Sequence, residues 1–411
     1  MSKYRLLGVF GALSALLAFG GVAIARPIGN PAAISIAADT DGDGISDAIE
    51  KKGPYKAAGG NFKHKDLWVE CDYMKGRQLN WNKMQSDMAK SYARGPVTNP
   101  DGKKGIKFHL VVGEQLKLDK TAWAGNLETN AEFENLYNKV MQRRQLSFVN
   151  DPDIDSSYFH YCLVVHTMTT NGGLLGISMD STNINGGIPG DTVALAFNPA
   201  IPDNDKTWRR AGTMMHELGH NLGLKHGGFD HVNNKLNYLS IMDYLLTDGF
   251  FKKVSDTRAE QQEYWDYSIS KQKDLNEKKL NENNGVDAAP SLVAKGFVGI
   301  QRCPDSTGQF LQLFFFEYNK PVNFNCNDKF DAGTIKFNIN WDGNSTGGDL
   351  YSVHKSENNW ANIVFDGGAI AGAGASAPSE KAPWEGEPDG LKLNELRKQS
   401  AGGLRRFDAH R

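Results

Sequence analysis

The chain has 411 residues, and its 46 basic and 48 acidic side chains leave a formal net charge of −2. Hydrophobic residues make up 40% of the chain and aromatic residues 10%, which suffices for a core and excludes a disordered charged tail. The near-neutral charge gives no electrostatic footprint for nucleic acid, so we expect no nucleic-acid partner. Its one long apolar run lies at the N-terminus, which excludes a polytopic membrane protein.

The N-terminal residues have the order of a secretory signal. Lys3 and Arg5 precede an apolar stretch, and Ala23 and Ala25 supply the small residues of a cleavage site. The alternative interpretation is an uncleaved membrane anchor. We expect cleavage after Ala25 and a secreted, monomeric mature chain without stable membrane association.

Export would place the four cysteines in an oxidising compartment. Cys303 and Cys326 lie in one region of the sequence and can pair. Cys71 and Cys162 each lie in an apolar, strand-like run. We predict buried thiols for that second pair, with a bridge between them as the alternative.

Residues 39–50 fit the calcium-loop pattern D-x-[DN]-x-[DN]-G-x5-E at every fixed position. Gly44 permits the sharp turn, and alternate carboxylates of a tight loop converge on one point. Five acids in twelve residues repel one another without a cation, so the pattern predicts a structural Ca²⁺. A solvated acidic turn is the alternative. The predicted ligands are Asp39, Asp41, Asp43, the Ile45 carbonyl, Asp47 and Glu50.

Strand and helix patterns alternate in the middle of the chain. Their β-α-β-α-β order predicts a mostly parallel sheet with helical crossovers. A glycine-rich stretch at 172–190 then predicts either a sheet edge that accepts an extended peptide or a plain surface loop. The predicted strands are residues 67–73, 105–112, 158–166 and 192–197, and the predicted helices are residues 78–92 and 126–142.

Residues 207–222 have apolar positions at helical spacing, which predicts a helix with a buried face. His216 and His220 are one turn apart on that helix, so both imidazoles project the same way and can hold zinc. Glu217 is rotated to the side of the pair, where it can meet a water on the metal.

A third histidine follows the end of this helix. Gly223 tolerates positive φ and lets the chain turn back, so that His226 can join the pair. The whole motif is His216-Glu-x-x-His220-x-x-Gly223-x-x-His226. Three neutral imidazoles leave zinc its full charge and one open position for water.

This extended motif resembles that of the metzincin clan of zinc endopeptidases, whose signature adds a downstream Met-turn. Residues 238–244, Tyr-Leu-Ser-Ile-Met-Asp-Tyr, are similar to that turn. The resemblance implies a metzincin-like α+β catalytic domain in which Met242 lies beneath the zinc ligands. It also implies that Tyr244 joins the zinc or the transition state, as in astacin-like and serralysin-like members. The subfamily, whether astacin-, serralysin- or reprolysin-like, stays open.

The region after the predicted catalytic domain is rich in β-formers, with strands predicted at 310–316 and 334–341. A Gly/Ala/Ser/Pro linker then leads into a flexible tail. The predicted organisation is a signal at 1–25, an N-terminal segment with the calcium loop at 26–65, a zinc-protease domain at 66–285, a β-rich region at 286–368, and a linker and tail at 369–411.

These features predict a secreted zinc-dependent endopeptidase that acts on protein or peptide substrates. Zinc would activate a water, Glu217 would be the general base, and Tyr244 would donate a hydrogen bond to the oxyanion. One alternative is a non-catalytic secreted binding or surface protein with structural zinc and calcium. Glu217 argues against it, since a structural zinc site needs no base. A second alternative is a metal-dependent amidase of a non-peptide substrate.

Overall fold

The structure is a computed structural model that describes residues 38–126, 129–150, 158–170, 174–179, 190–196, 207–255, 258–304, 311–340 and 351–365. The predicted signal and the predicted C-terminal linker and tail lie outside the described residues, as does most of the glycine-rich stretch. Secretion therefore stays a prediction. None of the described helices is long and apolar enough to cross a membrane.

Within these residues, two short helices come first and a β-α-β-α-β series follows; two more strands precede the helix Thr207–Asn221, and strands dominate after it. The helices are α1 (Asp47–Glu50), α2 (Gly53–Ala57), α3 (Trp81–Ala93), α4 (Asn130–Asn150), α5 (Thr207–Asn221), α6 (Pro290–Ala294) and α7 (Asn359–Asn362). The strands are β1 (Asp66–Met74), β2 (Lys107–Leu116), β3 (Phe159–Val165), β4 (Gly176–Met179), β5 (Thr192–Ala196), β6 (Phe251–Ser255), β7 (Arg258–Gln261), β8 (Leu275–Asn276), β9 (Phe297–Pro304), β10 (Leu311–Phe316) and β11 (Val353–His354).

The main sheet has five strands in the order β2-β1-β3-β5-β4. Strand β1 runs parallel to both β2 and β3, and β3 runs parallel to β5. Strand β4 pairs with β5 in the antiparallel direction and forms one edge of the sheet. Parallel neighbours need crossover connections, and α3 and α4 supply them. The prediction of a mostly parallel sheet with helical crossovers is confirmed.

Helices cover both faces of this sheet, which is why β3 is buried along its whole length and reads as a continuous apolar run. On one face, α3 and α5 pack in the largest core together with Val69 and Val164. On the other face, α4 packs against Leu163 and Val165. The layering holds α5 against β4 and β5, close to the antiparallel edge of the sheet.

A second, antiparallel sheet has the strand order β10-β9-β6-β7. The strand predicted at 310–316 is confirmed as β10. The core around this sheet includes Leu236 and Leu245 from the predicted catalytic domain and Phe316 and Ile339 from the predicted β-rich region. The boundary between those two regions stays a prediction.

The two cysteine pairs differ in state. Cys303 and Cys326 form a disulfide with Cα atoms 5.9 Å apart, which confirms their predicted pairing. Cys71 and Cys162 face each other on β1 and β3 with sulfur atoms 2.9 Å apart, and both are free, buried thiols. The prediction of buried thiols is confirmed for this pair.

The strand predicted at 334–341 is wrong for the residues that the structure describes. Ile335 makes a single isolated bridge, and the following backbone bonds to one residue instead of a ladder. The Phe337 N–H donates to the Glu277 carbonyl at 3.0 Å, and the Ile339 N–H donates to the Glu277 carboxylate at 2.7 Å. The apolar side chains still pack in the core, so their alternation reports burial and not strand pairing.

Candidate active site

Helix α5 carries two fully buried histidines on one side. His216 Nδ1 lies 2.9 Å from the carbonyl oxygen of Ile241, and His220 Nδ1 lies 2.7 Å from that of Leu224. A carbonyl oxygen accepts only, so each Nδ1 carries the proton and donates. Each Nε2 therefore presents a lone pair.

The third histidine reaches these two because the helix ends in a left-handed turn. Gly223 has φ of +87°, and the Leu224 N–H donates to the Gly219 carbonyl at 2.9 Å, which closes the last turn. The chain reverses and delivers His226, whose Nε2 lies 3.1 Å from His220 Nε2. The predicted role of glycine at this position is confirmed by its positive φ.

The converging nitrogens form a site for a cation. His216 Nε2 is also 3.1 Å from His220 Nε2, and both of these atoms present lone pairs. Lone pairs this close repel unless a positive ion lies between them. A tetrahedral zinc ion with nitrogen ligands at about 2.0–2.1 Å has neighbouring ligands about 3.3 Å apart. The three histidines therefore fit zinc.

Burial keeps these imidazoles in the form that binds metal. It lowers the pKa of His216 to about 4, although the hydrogen bond to the Ile241 carbonyl opposes the shift. Burial also lowers the pKa of His220 and His226 well below the ordinary histidine value, and the neighbouring histidines add to the effect. All three are neutral at pH 7, as metal ligation requires.

Glu217 lies between α5 and the edge strand of the sheet. It follows His216 on the helix and is fully buried. A Cβ atom added to Gly176 of β4 would overlap the Glu217 carboxylate and the methyl group of Thr213. The carboxylate thus lies against the β4 backbone, and its role as the base stays a prediction.

The predicted Met-turn lies directly against the helix. Met242 is fully buried, and a Cβ atom on Gly219 would overlap its sulfur. Gly219 stands immediately before His220, so Met242 packs under the segment that carries the ligands. The turn also supplies the Ile241 carbonyl that orients His216.

Tyr244 lies beside the histidine cluster. Its ring centre is 4.4 Å from that of His226 and 5.6 Å from that of His216. Its exposed fraction is 8%. The tyrosine ring thus lies next to two of the three histidines, and its role at the zinc or the transition state stays a prediction.

Sequence patterns gave no signal for Asn359, which holds the Met-turn from the C-terminal part of the chain. Its side-chain oxygen accepts hydrogen bonds from the Tyr238 hydroxyl at 2.8 Å and the Ser240 hydroxyl at 2.7 Å. It also accepts from the Ser268 N–H at 3.1 Å. An asparagine in a polar stretch has no distinctive spacing, so only the tertiary contacts reveal this role.

The predicted calcium loop forms a separate cluster of acidic side chains, far from the three histidines in sequence. Oxygen atoms of Asp39, Asp41 and Asp43 lie within 4.8 Å of one another. Ile45 turns its side chain into a small core with Trp68, as the loop pattern predicts. Glu50 and Asp43 form another such group together with Asp66, a residue that lies outside the loop pattern. Asp47 belongs to neither group.

Comparisons with known proteins add weak similarities. No protein-family model matches the chain, and no curated protein matches it. The chain is similar to metalloproteinase-II from Bacteroides fragilis, with a TM-score of 0.25 and 13% identity over 43% of this chain and 46% of that one. It is also similar to archaemetzincin from Methanopyrus kandleri, with a TM-score of 0.23 and 14% identity over 44% of this chain and 81% of that one. The match thus spans less than half of the Bacteroides protein, and likeness at this level carries no inference about activity.

Proposed function

We propose that the chain is a zinc-dependent endopeptidase of the metzincin type, in which Glu217 is the general base. The observation that carries this proposal is the convergence of the Nε2 atoms of His216, His220 and His226, with neighbouring nitrogens 3.1 Å apart. The buried Glu217 follows His216 on the helix, and the Tyr244 ring centre lies 4.4 Å from that of His226. We further propose that the protein is secreted and acts as a monomer on protein or peptide substrates.

The three histidines would hold the zinc. When bound, zinc supplies a Lewis acid that polarises a carbonyl and lowers the pKa of a water to about 7. The protein's own contribution is to fix the imidazoles. Two of them are oriented by hydrogen bonds to backbone carbonyls, which lock the tautomer and the ring plane.

Glu217 would accept the proton of the attacking water and pass it to the amine of the departing peptide. Its carboxylate is confined between α5 and the β4 backbone, which limits the positions that it can adopt. Tyr244, beside His226, would donate a hydrogen bond to the oxyanion of the transition state.

The edge strand favours a peptide over a small amide as substrate. Strand β4 forms one edge of the main sheet, and its first residue, Gly176, contacts the Glu217 carboxylate. An extended peptide that adds to this edge would pass the general base. This position supports the peptide-binding interpretation of the glycine-rich stretch over a plain surface loop.

The test is cleavage of a peptide library by the zinc-loaded wild-type protein and by Glu217→Ala and Glu217→Gln. General-base catalysis is worth about 10²–10⁴-fold, so both variants should lose that much kcat/KM. Zinc content, measured by atomic absorption, should equal that of the wild type.

Wild-type turnover by either variant would contradict the role of Glu217. If the wild type binds zinc yet cleaves no peptide, the non-catalytic binding protein becomes the better hypothesis. Cleavage of small amides without cleavage of peptides would instead favour the amidase.

A further inference from the structure

The acidic loop before β1 is folded around its own carboxylates. Asp39 accepts the N–H groups of Gly42 at 2.7 Å and Gly44 at 3.0 Å, which closes the turn. Asp43 accepts the Ile45 N–H at 2.9 Å and, with its other oxygen, the Asp66 N–H at 2.8 Å. The loop is therefore joined directly to the first residue of the main sheet.

Asp66 brings a further carboxylate to this point from outside the loop. Oxygen atoms of Asp43, Glu50 and Asp66 lie within 4.8 Å of one another, and all three residues are at most 2% exposed. Asp66 is held in place from both sides: one oxygen accepts the Asn61 N–H at 2.8 Å, and the other pairs with His109 Nε2 at 2.7 Å. Its carboxylate is thus preformed as part of the cluster.

Two carboxylates of the cluster have no hydrogen-bond donor among the described residues. These are Asp41 and Glu50, whose oxygens are buried. The ammonium group of Lys65 donates to the carbonyls of Asp41 and Gly42 and thus bonds to the backbone. Buried anions of this kind are costly without a compensating cation.

Asp47, the ninth residue of the sequence pattern, belongs to neither group of converging carboxylates. Its two oxygens accept the Thr40 N–H and the Thr40 hydroxyl, each at 2.8 Å. It also forms an ion pair with Lys51 at 2.8 Å. Hydrogen bonds also engage Asp43 and Asp66, so what separates Asp47 from them is position: its oxygens belong to neither group of converging carboxylates.

We propose that the loop binds Ca²⁺ and that Asp66 of β1 completes the site in place of Asp47. The ligands would be Asp41, Asp43, Glu50 and Asp66, with Asp39 at the mouth of the turn. All are oxygen donors, which suits Ca²⁺ and not zinc. The ion would then join the N-terminal loop to the sheet.

A Ca²⁺ ion bound at this site would stabilise the main sheet, against which helix α5 packs. Asp66 begins β1, which pairs with both β2 and β3. Asp43 and Asp66 also line one small cavity together with His160 and Leu222, the residue that follows α5. Calcium bound here would stabilise the catalytic unit as a whole without touching the substrate.

The test measures Ca²⁺ affinity by isothermal titration calorimetry on the full, zinc-loaded chain, with Mg²⁺ present throughout. The decisive comparison is between Asp66→Asn and Asp47→Asn, because each variant removes one negative charge from the region of the loop. Asp66→Asn should weaken Ca²⁺ binding at least tenfold, and Asp47→Asn should change it less than threefold. Glu50→Gln should weaken binding at least tenfold as well.

A second measurement needs no change to the site. His109 is bonded to Asp66, so its imidazole resonance, assigned by comparison with His109→Gln, should shift when the wild type is saturated with Ca²⁺. This readout covers the case in which Asp66→Asn does not fold. The proposal is overturned if the wild type binds no Ca²⁺, if Asp47→Asn loses as much affinity as Asp66→Asn, or if the His109 resonance stays unchanged.

Discussion

The two candidate metal sites of this chain differ in their charge: one consists of neutral imidazoles, and the other consists of carboxylates. At the histidine site, burial lowers the pKa of His216, His220 and His226, so the imidazoles are neutral and only the close approach of their Nε2 atoms opposes the metal-free arrangement. At the acidic loop, burial raises the pKa of Asp43 to about 8 and that of Glu50 to about 9, so burial favours the protonated, uncharged form of these acids. The first site is held in shape by the protein, whereas the second needs a cation or protons to hold it.

Because of this difference, we expect the largest change in activity when zinc is removed, and a different change when Ca²⁺ is removed. Stripping zinc with 1,10-phenanthroline in excess Ca²⁺ should abolish peptide cleavage, because the active site then lacks its Lewis acid. The far-UV circular dichroism should stay unchanged at 25 °C, because the imidazoles are uncharged and backbone hydrogen bonds hold His216 and His220 in place without the metal. Adding zinc back should restore activity.

The matched control removes Ca²⁺ with zinc kept saturating. It should lower the melting temperature and leave most of the activity at 25 °C. Unfolding of the zinc-free chain in excess Ca²⁺ would show that the histidine site is not preformed. Loss of activity on Ca²⁺ removal without any change in melting temperature would reverse the assigned roles.

Within the histidine site, a change at Tyr244 can separate an effect on catalysis from an effect on zinc binding. Its ring lies 4.4 Å from that of His226, but the three histidines already match the number of protein ligands in a catalytic zinc site. Removing one oxyanion donor costs about 10²-fold or more in kcat. We therefore expect Tyr244→Phe to lose about 10²-fold in kcat with zinc content and KM little changed. A loss of zinc from this variant would mean that the hydroxyl serves the metal site instead.

At the loop, the raised pKa values predict a pH dependence of stability in the absence of Ca²⁺. Asp41, Asp43 and Glu50 have folded-state pKa values of about 6, 8 and 9, above the ordinary range for unfolded acids. The folded state thus binds more protons, and the stability present below about pH 4 is lost as pH rises through those values. We expect a loss of about 2 kcal/mol between pH 5 and 8, because the acids ionise in turn and solvent screens the open side of the loop.

Urea unfolding of the zinc-loaded protein, with and without Ca²⁺, measures this loss. Saturating Ca²⁺ should flatten the profile, since the cation replaces the protons. The same slope with and without Ca²⁺ would place the pH dependence elsewhere in the chain.

The two sites also differ in how far the sequence could predict them. The histidine site follows from one helix and its end, because the one-turn separation of His216 and His220 fixes their common direction. The acidic loop has an equally good pattern, yet its pattern places Asp47 in the site and omits Asp66. Local spacing cannot show that Thr40 and Lys51 engage Asp47, nor that β1 brings a carboxylate from outside the loop.

The same limit explains the strand predicted at 334–341. The alternation of Ile335, Phe337 and Ile339 correctly indicated burial, but the Phe337 and Ile339 N–H groups bond to Glu277, and Ile335 makes an isolated bridge with Leu280 instead of a strand ladder. Asn359, which fixes the Met-turn through Tyr238 and Ser240, was equally invisible in the sequence. Local periodicity thus predicts which side chains are buried, while the partners of polar groups depend on tertiary contacts.

The smallest effect tests how tightly the Met-turn supports the histidine site. A Cβ at Gly219 would overlap the Met242 sulfur, and overpacking of this kind costs about 1–3 kcal/mol, which the better helix propensity of alanine partly offsets. We expect Gly219→Ala to lower the free energy of unfolding by about 1 kcal/mol in urea and to weaken zinc binding. In a Met242→Ala background only the 3.0 Å approach to Tyr267 Cε1 remains, so the added methyl group should cost clearly less than in the wild type. An equal cost in both backgrounds would mean that Met242 does not pack against the helix segment that carries His220, and the predicted support from beneath the histidines would be wrong.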